Sequence, residues 1–465
     1  MKGNAVLLIF LIVGLTIYLS APWKSAQSAA TQTADPTAAA LPPINPRVKQ
    51  IVDAVSQERI VETLKRLESF YTRHTLSEAI HPARGIGAAR QWIYDQFKSY
   101  SPRLQVRFDT YFVRKQPPRL FRDFELRNVV AILPGTGDPG RHFIVSAHYD
   151  SVARPAGAQR FDWTATEIFA PGVTDDGSGT AAVMELARVM SQFQFEKTIV
   201  FIAFAGEEQG LVGSTLYAER AARDRHQIDG VLNNDLIGSE VAGNGFIDNR
   251  RVLVFSEEPN DSSSRQLARY IKRAAERYLP GFRVELIFRQ ERFGRGGDHE
   301  AFNAAGFAAV RFNTPNENFA HQHSATDTFE NASPRYITQV TRANAAALAS
   351  LAWAPRAPVV RSERGGLLLG RGRSGYAAAL RWTHENPEAD LAGFVIVVRS
   401  TTSPDWEREI FVGKVNESVL EDTSIDTLTF GVRAIDREGN ESLVSTYVNP
   451  QRPRAKFETF EPQSN

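Results

Sequence analysis

The chain lacks cysteine altogether: none occurs in 465 residues. Disulfide bonds and thiolate metal ligands are therefore excluded, and any metal must be held by His, Asp and Glu. Only 9 histidines are available for this. A surplus of one charge is missing too, because 54 Lys and Arg stand against 53 Asp and Glu, a net charge of +1. This balance argues against a dedicated surface for nucleic acid or anionic lipid.

Very long apolar runs are also scarce. The one that stands out is "AVLLIFLIVGLTIYL" at residues 5–19, which follows Lys2 and precedes a stretch rich in Thr, Ala and Pro at 31–46. This length and these flanks are typical of a signal peptide or a signal-anchor. We therefore expect residues 1–23 to direct export to the periplasm or the cell exterior, with any membrane contact confined to this segment. Residues 24–46 are predicted to be a linker.

Residues 47–354 have the pattern of an α/β domain, in which apolar strands alternate with amphipathic helices. We predict a mixed, mostly parallel sheet with helices on both of its faces. The predicted strands are 106–113, 127–135, 142–150, 197–206, 230–238 and 307–312. The predicted helices are 47–73, 86–100, 177–193, 213–225, 261–279 and 336–353.

The last part of the chain has a different pattern of predicted elements. After a predicted linker at 355–366, short strands follow one another at regular spacing over residues 367–450, which indicates a small β-sandwich. The segment resembles a fibronectin type III module, with Trp382 as its core tryptophan and "GVRAIDREGNES" as a late strand and loop. Residues 451–465 are predicted to be a tail.

Polar residues capable of acid–base or metal chemistry follow several predicted strands. Parallel strands bring their carboxyl ends to one edge of a sheet, where ligands bind. The residues concerned lie in "SAHYD", "PGVTDDGSG", "AGEEQG", "LNNDLIG" and "HQHSATDT", and they are His148, Asp150, Asp175, Asp176, Glu207, Glu208, Asp235, His321, His323 and Asp327.

Each of these residues has an ordinary explanation when taken alone. Asp175 and Asp176 can cap the helix that follows them, Asp235 can be a turn residue, and adjacent glutamates usually lie on a solvated surface. Together they would form a dense group of carboxylates at one edge, which needs a counter-charge. No Lys or Arg lies within these motifs. Mixed His, Asp and Glu ligands without sulfur suit hydrolytic zinc.

The motifs "HYDS", "PGVTDDGSGTAAVMELAR", "FIAFAGEEQGLVGS", "NNDLIG", "RGGDHEAF" and "HQHSATDT" together resemble the bacterial zinc aminopeptidases. This dinuclear exopeptidase family also includes plasma glutamate carboxypeptidase and the glutaminyl cyclases. The resemblance covers residues 47–353. It departs from the family at "TDDGSG", where some members carry three acids, and at the long loop 151–169.

The resemblance implies two zinc ions per chain, a general base and peptide substrates with a free N-terminus. Glu207 would be the base, acting on a water that bridges the metals and returning the proton to the leaving amine. Asp150 would orient a ligand histidine. The implied ligands are His148 and Asp235 for one zinc, Glu208 and His323 for the other, and Asp175 as the bridge between them.

Other residues in the motifs receive weaker expectations. Asp176 is expected to shape the backbone beside Asp175, and Asp298 lies at a family position near the active site without an assigned role. His299 is expected to be structural, and His321 is expected to belong to the loop or the cavity rim.

Rival functions stay open. A carboxypeptidase or a glutaminyl cyclase carries the same family motifs, but the cyclases bind a single zinc, whereas all five ligand positions are filled here. A catalytically inactive fold that serves as a binding module is disfavoured by the intact Glu207 and the complete ligand set.

The substrate pocket is expected to be lined by the loop 151–169 and by the region 257–297. Arg292 and Arg295 in that region would either receive a substrate carboxylate or pair with a neighbouring acid such as Glu291. The second alternative is favoured.

Overall fold

An eight-stranded sheet forms the centre of the α/β part. The computed structural model describes residues 44–315, 317–385 and 388–448, so the predicted export segment and the predicted tail lie outside the described residues. The sheet contains β1 (Gln105–Val113), β2 (Phe124–Leu133), β3 (Asp138–His148), β4 (Lys197–Phe204), β5 (Gln227–Asn234), β6 (Arg251–Ser256), β7 (Arg283–Ile287) and β8 (Ala309–Asn313).

The strand order is β1-β2-β4-β3-β5-β8-β6-β7. The four central strands β4, β3, β5 and β8 run parallel, as do β6 and β7, while the remaining neighbours are antiparallel. This confirms the predicted mixed sheet. Because the central strands are parallel, their carboxyl ends meet at a single edge.

Helices cover both faces of this sheet. They are α1 (Pro46–Asp53), α2 (Gln57–Glu68), α3 (Gly85–Tyr100), α4 (Ser178–Met190), α5 (Val212–Arg223), α6 (Ser263–Tyr278), α7 (His299–Ala304) and α8 (Pro334–Trp353). Helices α5 and α7 pack on one face and the larger core with α4, α6 and α8 lies on the other. Strand β4 is buried along its whole length between them, which explains its uninterrupted apolar sequence from Ile199 onward.

The structure differs from the sequence-based prediction in four elements, one of which is the short helix α7, which was not predicted. The predicted helix 47–73 is two helices, because Ser56 caps the start of α2 by accepting a hydrogen bond from the Arg59 N–H. Strands β6 and β7 were not predicted. Both are short, and short apolar segments do not distinguish a strand from a buried helix by pattern alone.

The C-terminal part forms two separate antiparallel sheets that share one core. One contains β9 (Leu369–Arg371), β10 (Ala377–Arg381) and β13 (Glu417–Ser424), and the other contains β11 (Leu391–Ser400), β12 (Arg408–Gly413), β14 (Leu428–Asp436) and β15 (Ser445–Thr446). Trp382 lies in this core at 2% exposure, beside Phe394 of β11.

Helix α6 carries most of the polar contacts between the two parts. Arg273 pairs with Glu409 and Glu441, and both of these carboxylates also pair with Arg433. Within the described ranges, no helix combines the length and the apolarity needed to cross a bilayer.

Candidate metal centre and active site

Three of the predicted site motifs meet at the carboxyl edge of the central strands. His148 is the last residue of β3, Asp235 follows β5 directly, and Glu207 and Glu208 lie in the turn after β4. Asp175 joins them from the turn before α4.

Two groups of side chains have the geometry to hold metal ions. Among the described residues, His148, Glu207 and Asp235 offer atoms within 4.8 Å of one another, and so do Asp175, Glu208 and His323. The structure therefore brings together all five predicted ligands and the predicted base. It also places Glu207 where geometry alone permits it to be a ligand.

Asp175 lies between the two histidines, one from each group. Its Oδ1 is 3.3 Å from His148 Nε2, and its Oδ2 is 2.9 Å from His323 Nε2. On the outer sides, His148 Nε2 lies 3.8 Å from Asp235 Oδ1, and His323 Nε2 lies 3.1 Å from Glu208 Oε1. One carboxylate thus directs one oxygen toward each group, which is the arrangement of a bridging ligand.

The protonation of His148 fits a metal ligand. Its Nδ1 lies 3.1 Å from the Asp150 carbonyl oxygen, which can only accept, so Nδ1 carries the proton. In the neutral ring, Nε2 then presents a lone pair. This buried Nε2 makes no hydrogen bond within the described chain, and the carboxylates of Asp175 and Asp235 around it favour a positive charge at this position. A divalent cation such as zinc would supply that charge.

The Asp150 carboxylate supports the backbone of the site more closely than it supports His148. It lies 3.5 Å from His148 Nδ1. It accepts hydrogen bonds from the Thr75 hydroxyl at 3.0 Å and from the backbone N–H groups of Glu207 and Glu208, both at 3.3 Å. Asp150 therefore links the ends of β3 and β4.

Two further buried carboxylates hold the backbone around Asp175. Asp176 accepts from the N–H of Gly179 at 2.9 Å and from the N–H of His148 at 3.3 Å, which matches its predicted local role. Asp327 accepts from the N–H of Thr174 at 2.9 Å and from the N–H of Asp175 at 3.0 Å. Asp327 was placed among the site motifs, but its contact with the Asp175 turn was not predicted.

Cations outside the motifs contribute counter-charge. Arg311 on β8 is 1% exposed and lies 3.0 Å from Asp235 Oδ1. Arg73, equally buried, donates to the carbonyl oxygens of Tyr149 and Gly172. Neither arginine was predicted to belong to the site, because both lie outside the motifs that follow the strands. Arg311 in the apolar strand "FAAVRF" could have been predicted to have an acidic partner, since a charged side chain within a buried strand needs one.

Glu207 and Glu208 occupy a tight turn. The Glu207 carbonyl accepts from the N–H groups of Gly210 and Leu211, at 2.8 and 2.9 Å. The two carboxylates diverge: Glu207 lies 3.9 Å from His148, and Glu208 pairs with His323. The Glu207 side chain is 13% exposed and the Glu208 side chain 6%, so Glu207 is the more open to the cavity. Burial raises the pKa of Glu207 well above its usual range, against the opposing effect of His148.

The remaining motif residues lie at the border of the site. Asp298 is fully buried, and burial raises its pKa to about 7. His299 is buried against the Gln290 carbonyl oxygen at 2.7 Å, and burial lowers its pKa to about 3, which fits its predicted structural role. His321 contacts the Thr326 hydroxyl at 2.8 Å and belongs to neither metal group.

A cavity of about 560 Å³ opens over the two groups. Phe161 and Trp163 line one wall, which agrees with the predicted contribution of the loop 151–169. Residues 291–292 and 294–296 also line the cavity, whereas the segment 257–264 does not. Arg292 and Arg295 also line it, but both pair with Glu317, so the predicted ion pairs form with a different acid from Glu291.

Comparison with known proteins agrees with this architecture. The model of peptidase family M28 matches residues 128–348. A protein of Pyrenophora teres called "Probable zinc metalloprotease" is 35% identical over 86% of this chain and 86% of its own length. The glutaminyl cyclase of Macrostomum lignano has a TM-score of 0.51 at 16% identity, covering 67% of this chain and 95% of its own. LapB of Legionella pneumophila has a TM-score of 0.50 at 19% identity, covering 70% and 83%. These two structures share the fold. The chain belongs to peptidase family M28.

Proposed function

We propose that the chain is an exported, zinc-dependent aminopeptidase that binds two zinc ions. His148 and Asp235 would hold one ion, Glu208 and His323 the other, and Asp175 would contact both. The observation that carries the proposal is the position of the Asp175 carboxylate, with one oxygen near each of the two histidines. The zinc metalloprotease name of the curated relative supports the choice of metal.

Glu207 is the proposed general base. Its side chain reaches the cavity, and its Oε2 lies 3.9 Å from His148 Nε2. Zinc, when bound, supplies Lewis acidity that polarises the scissile carbonyl and lowers the pKa of a nearby water. The Glu207 carboxylate accepts the proton of the attacking water and then delivers it to the leaving amine. Asp150 holds the Glu207 N–H and keeps the base in place.

The preference for a free N-terminus rests on the acids of the cavity wall. Glu291 and Glu300 line the cavity in addition to the metal-binding groups. Gly296 lies close to Glu300, since a Cβ atom placed on this glycine would be 3.3 Å from Glu300 Oε2. The Gly296 carbonyl also accepts a hydrogen bond from Arg311, which is the partner of Asp235. Carboxylates on the Asp235 side favour a substrate ammonium there.

Export is proposed from the apolar segment 5–19, and residues 367–450 are proposed to act as a fibronectin type III-like spacer. The substrates would then be peptides in the periplasm or outside the cell.

The function is tested by zinc analysis and a substrate panel on the purified full chain. Two zinc ions per chain, with cleavage of an aminoacyl anilide but not of its N-acetylated analogue, would support the proposal. Cleavage of N-blocked peptides with a free carboxyl end would instead identify a carboxypeptidase. Cyclisation of an N-terminal glutaminyl peptide without hydrolysis would identify a glutaminyl cyclase. Absence of any turnover would leave only a binding role.

The adjacent glutamates supply a matched pair of variants for the mechanism. Glu207→Gln should keep two zinc ions while kcat falls at least about 100-fold, because a general base is lost. Glu208→Gln should lose one zinc ion. Equal loss of zinc in both variants would show that Glu207 is a ligand and would refute the assignment.

A further inference from the structure

Four arginines line the cavity, and they differ in whether an acid neutralises them. Arg292 and Arg295 pair with Glu317, and Arg311 pairs with Asp235. The fourth, Arg119, has no carboxylate partner among the described residues. It is therefore the cavity arginine whose charge is available to a ligand.

Arg119 is held at the cavity wall by two contacts that leave its charge in place. Its guanidinium carbon lies 5.0 Å from the ring centre of Trp163, and its Nη1 donates to the Glu208 carbonyl oxygen at 3.3 Å. A guanidinium has five N–H donors, and these contacts use one of them. Stacking on an aromatic ring orients the plane of the guanidinium, which suits it to grip a carboxylate with two hydrogen bonds.

The wall around Arg119 connects it to the metal centre. Trp163 stacks on Phe161 with ring centres 5.1 Å apart, and Phe161 meets the edge of His323 at 5.4 Å. A continuous row of rings thus runs from a proposed zinc ligand to Arg119. Arg119 lies on the Glu208 and His323 side, whereas the acids proposed to receive the ammonium lie on the Asp235 side.

We propose that Arg119 binds a carboxylate of the substrate, so that the enzyme prefers peptides that carry a carboxylate on the C-terminal side of the scissile bond. This inference rests on the proposed function and names its substrate class. The cavity has acids at one end and, at the other, an arginine without an acidic partner among the described residues. This charge pattern matches a short peptide that is positive at its amino end and negative beyond the scissile bond. The carboxylate can be the C-terminus of a dipeptide or the side chain of an acidic second residue.

Two pairs of peptides separate these sources, because each pair differs only by a carboxylate and its amide. Leu-Gly against Leu-Gly-amide tests the terminal carboxylate, and Leu-Glu-amide against Leu-Gln-amide tests the side chain. The full zinc-loaded chain should cleave the acid of at least one pair with a kcat/KM about tenfold above that of the amide, as expected for a charge-assisted hydrogen bond. In Arg119→Gln this ratio should fall to about one.

Arg114→Gln is the matched control. Arg114 lies five positions earlier in the same loop, pairs with the exposed Asp123 at 2.7 Å, and does not line the cavity. It removes the same charge from the same loop without removing a cavity contact, so the acid preference should persist. No acid preference in the unmodified chain, an unchanged ratio in Arg119→Gln, or an equal loss in Arg114→Gln would each overturn the proposal.

Binding without turnover keeps this test separate from the proposed function. Calorimetry on Glu207→Gln should show tighter binding of the acid than of the amide, and the further change Arg119→Gln should abolish the difference. Equal binding of acid and amide to Glu207→Gln would overturn the role of Arg119. Failure of the unmodified chain to cleave any of the four peptides would refute the peptidase proposal alone.

Discussion

Asp327→Asn tests whether a buried carboxylate outside the metal groups holds Asp175 in its bridging position. Asp327 is 1% exposed. Its Oδ1 accepts from both the N–H and the hydroxyl of Thr174, and its Oδ2 accepts from the N–H of Asp175. An asparagine keeps the shape but replaces one acceptor by a donor. The less costly orientation places the new NH₂ group at the position of the Asp327 Oδ2 atom, where only the hydrogen bond from the Asp175 N–H is lost.

The magnitude follows from that orientation. Loss of one hydrogen bond to a charged group costs about 1.5–3 kcal/mol, and the Asp175 N–H left without an acceptor costs about 1–3 kcal/mol. Relief of the repulsion between Asp327 and Asp175 offsets part of this cost. We expect a net loss of about 2–4 kcal/mol in the free energy of unfolding. Zinc affinity should fall roughly 10- to 100-fold, as for other groups that orient a ligand.

Urea unfolding of the metal-free chain and competition with a chromogenic chelator measure the two effects. Asp436→Asn is the control, because Asp436 is likewise buried and accepts from the N–H groups of Glu438 and Asn440, at 2.9 and 2.8 Å, in the C-terminal part. It should lower stability and leave zinc affinity unchanged. The reasoning is refuted if Asp327→Asn behaves in the same way, because Asp327 would then support only the fold.

Three further outcomes are expected. Arg433→Met should lower the free energy of unfolding in urea by about 3 kcal/mol, because Glu409 and Glu441 would share one remaining arginine. Arg371→Met, at an exposed ion pair, should lower it by less than about 1 kcal/mol. Equal losses in the two variants would contradict this. Burial lowers the pKa of His299 to about 3, against about 6.5 when unfolded, so its contribution to stability is complete above pH 6.5 and is lost as the pH falls toward 3. The melting temperature of His299→Gln should therefore fall less steeply with acid, and parallel curves would contradict the shift. Chelation of zinc should lower the melting temperature. The corresponding loss in the free energy of unfolding is about 4 kcal/mol when zinc is present at a thousand times its dissociation constant. An unchanged melting temperature would argue against a metal centre.

Much of the α/β part could be predicted from local pattern. The helix predicted at 261–279 is α6 (Ser263–Tyr278), and the strand predicted at 197–206 is β4 (Lys197–Phe204). Long amphipathic periods and buried apolar runs indicate their own structure, because the hydrophobic face must be covered wherever the segment lies. The short strands β6 and β7, which lie together at one end of the sheet, depend instead on pairing with distant segments.

The candidate site divides in the same way. The sequence by itself determined which chemical groups are present, in what order, and that they follow strands whose ends share an edge. Only the tertiary structure decided that Asp175 lies between His148 and His323 and that Asp327 holds Asp175 from 152 positions away. It also decided that, in the part of the chain that the structure describes, Arg119 has no acidic partner whereas the other cavity arginines do. These facts depend on side-chain directions within turns and on contacts between segments far apart in the chain. Neither composition nor periodicity encodes such contacts, because they arise when the folded elements pack together.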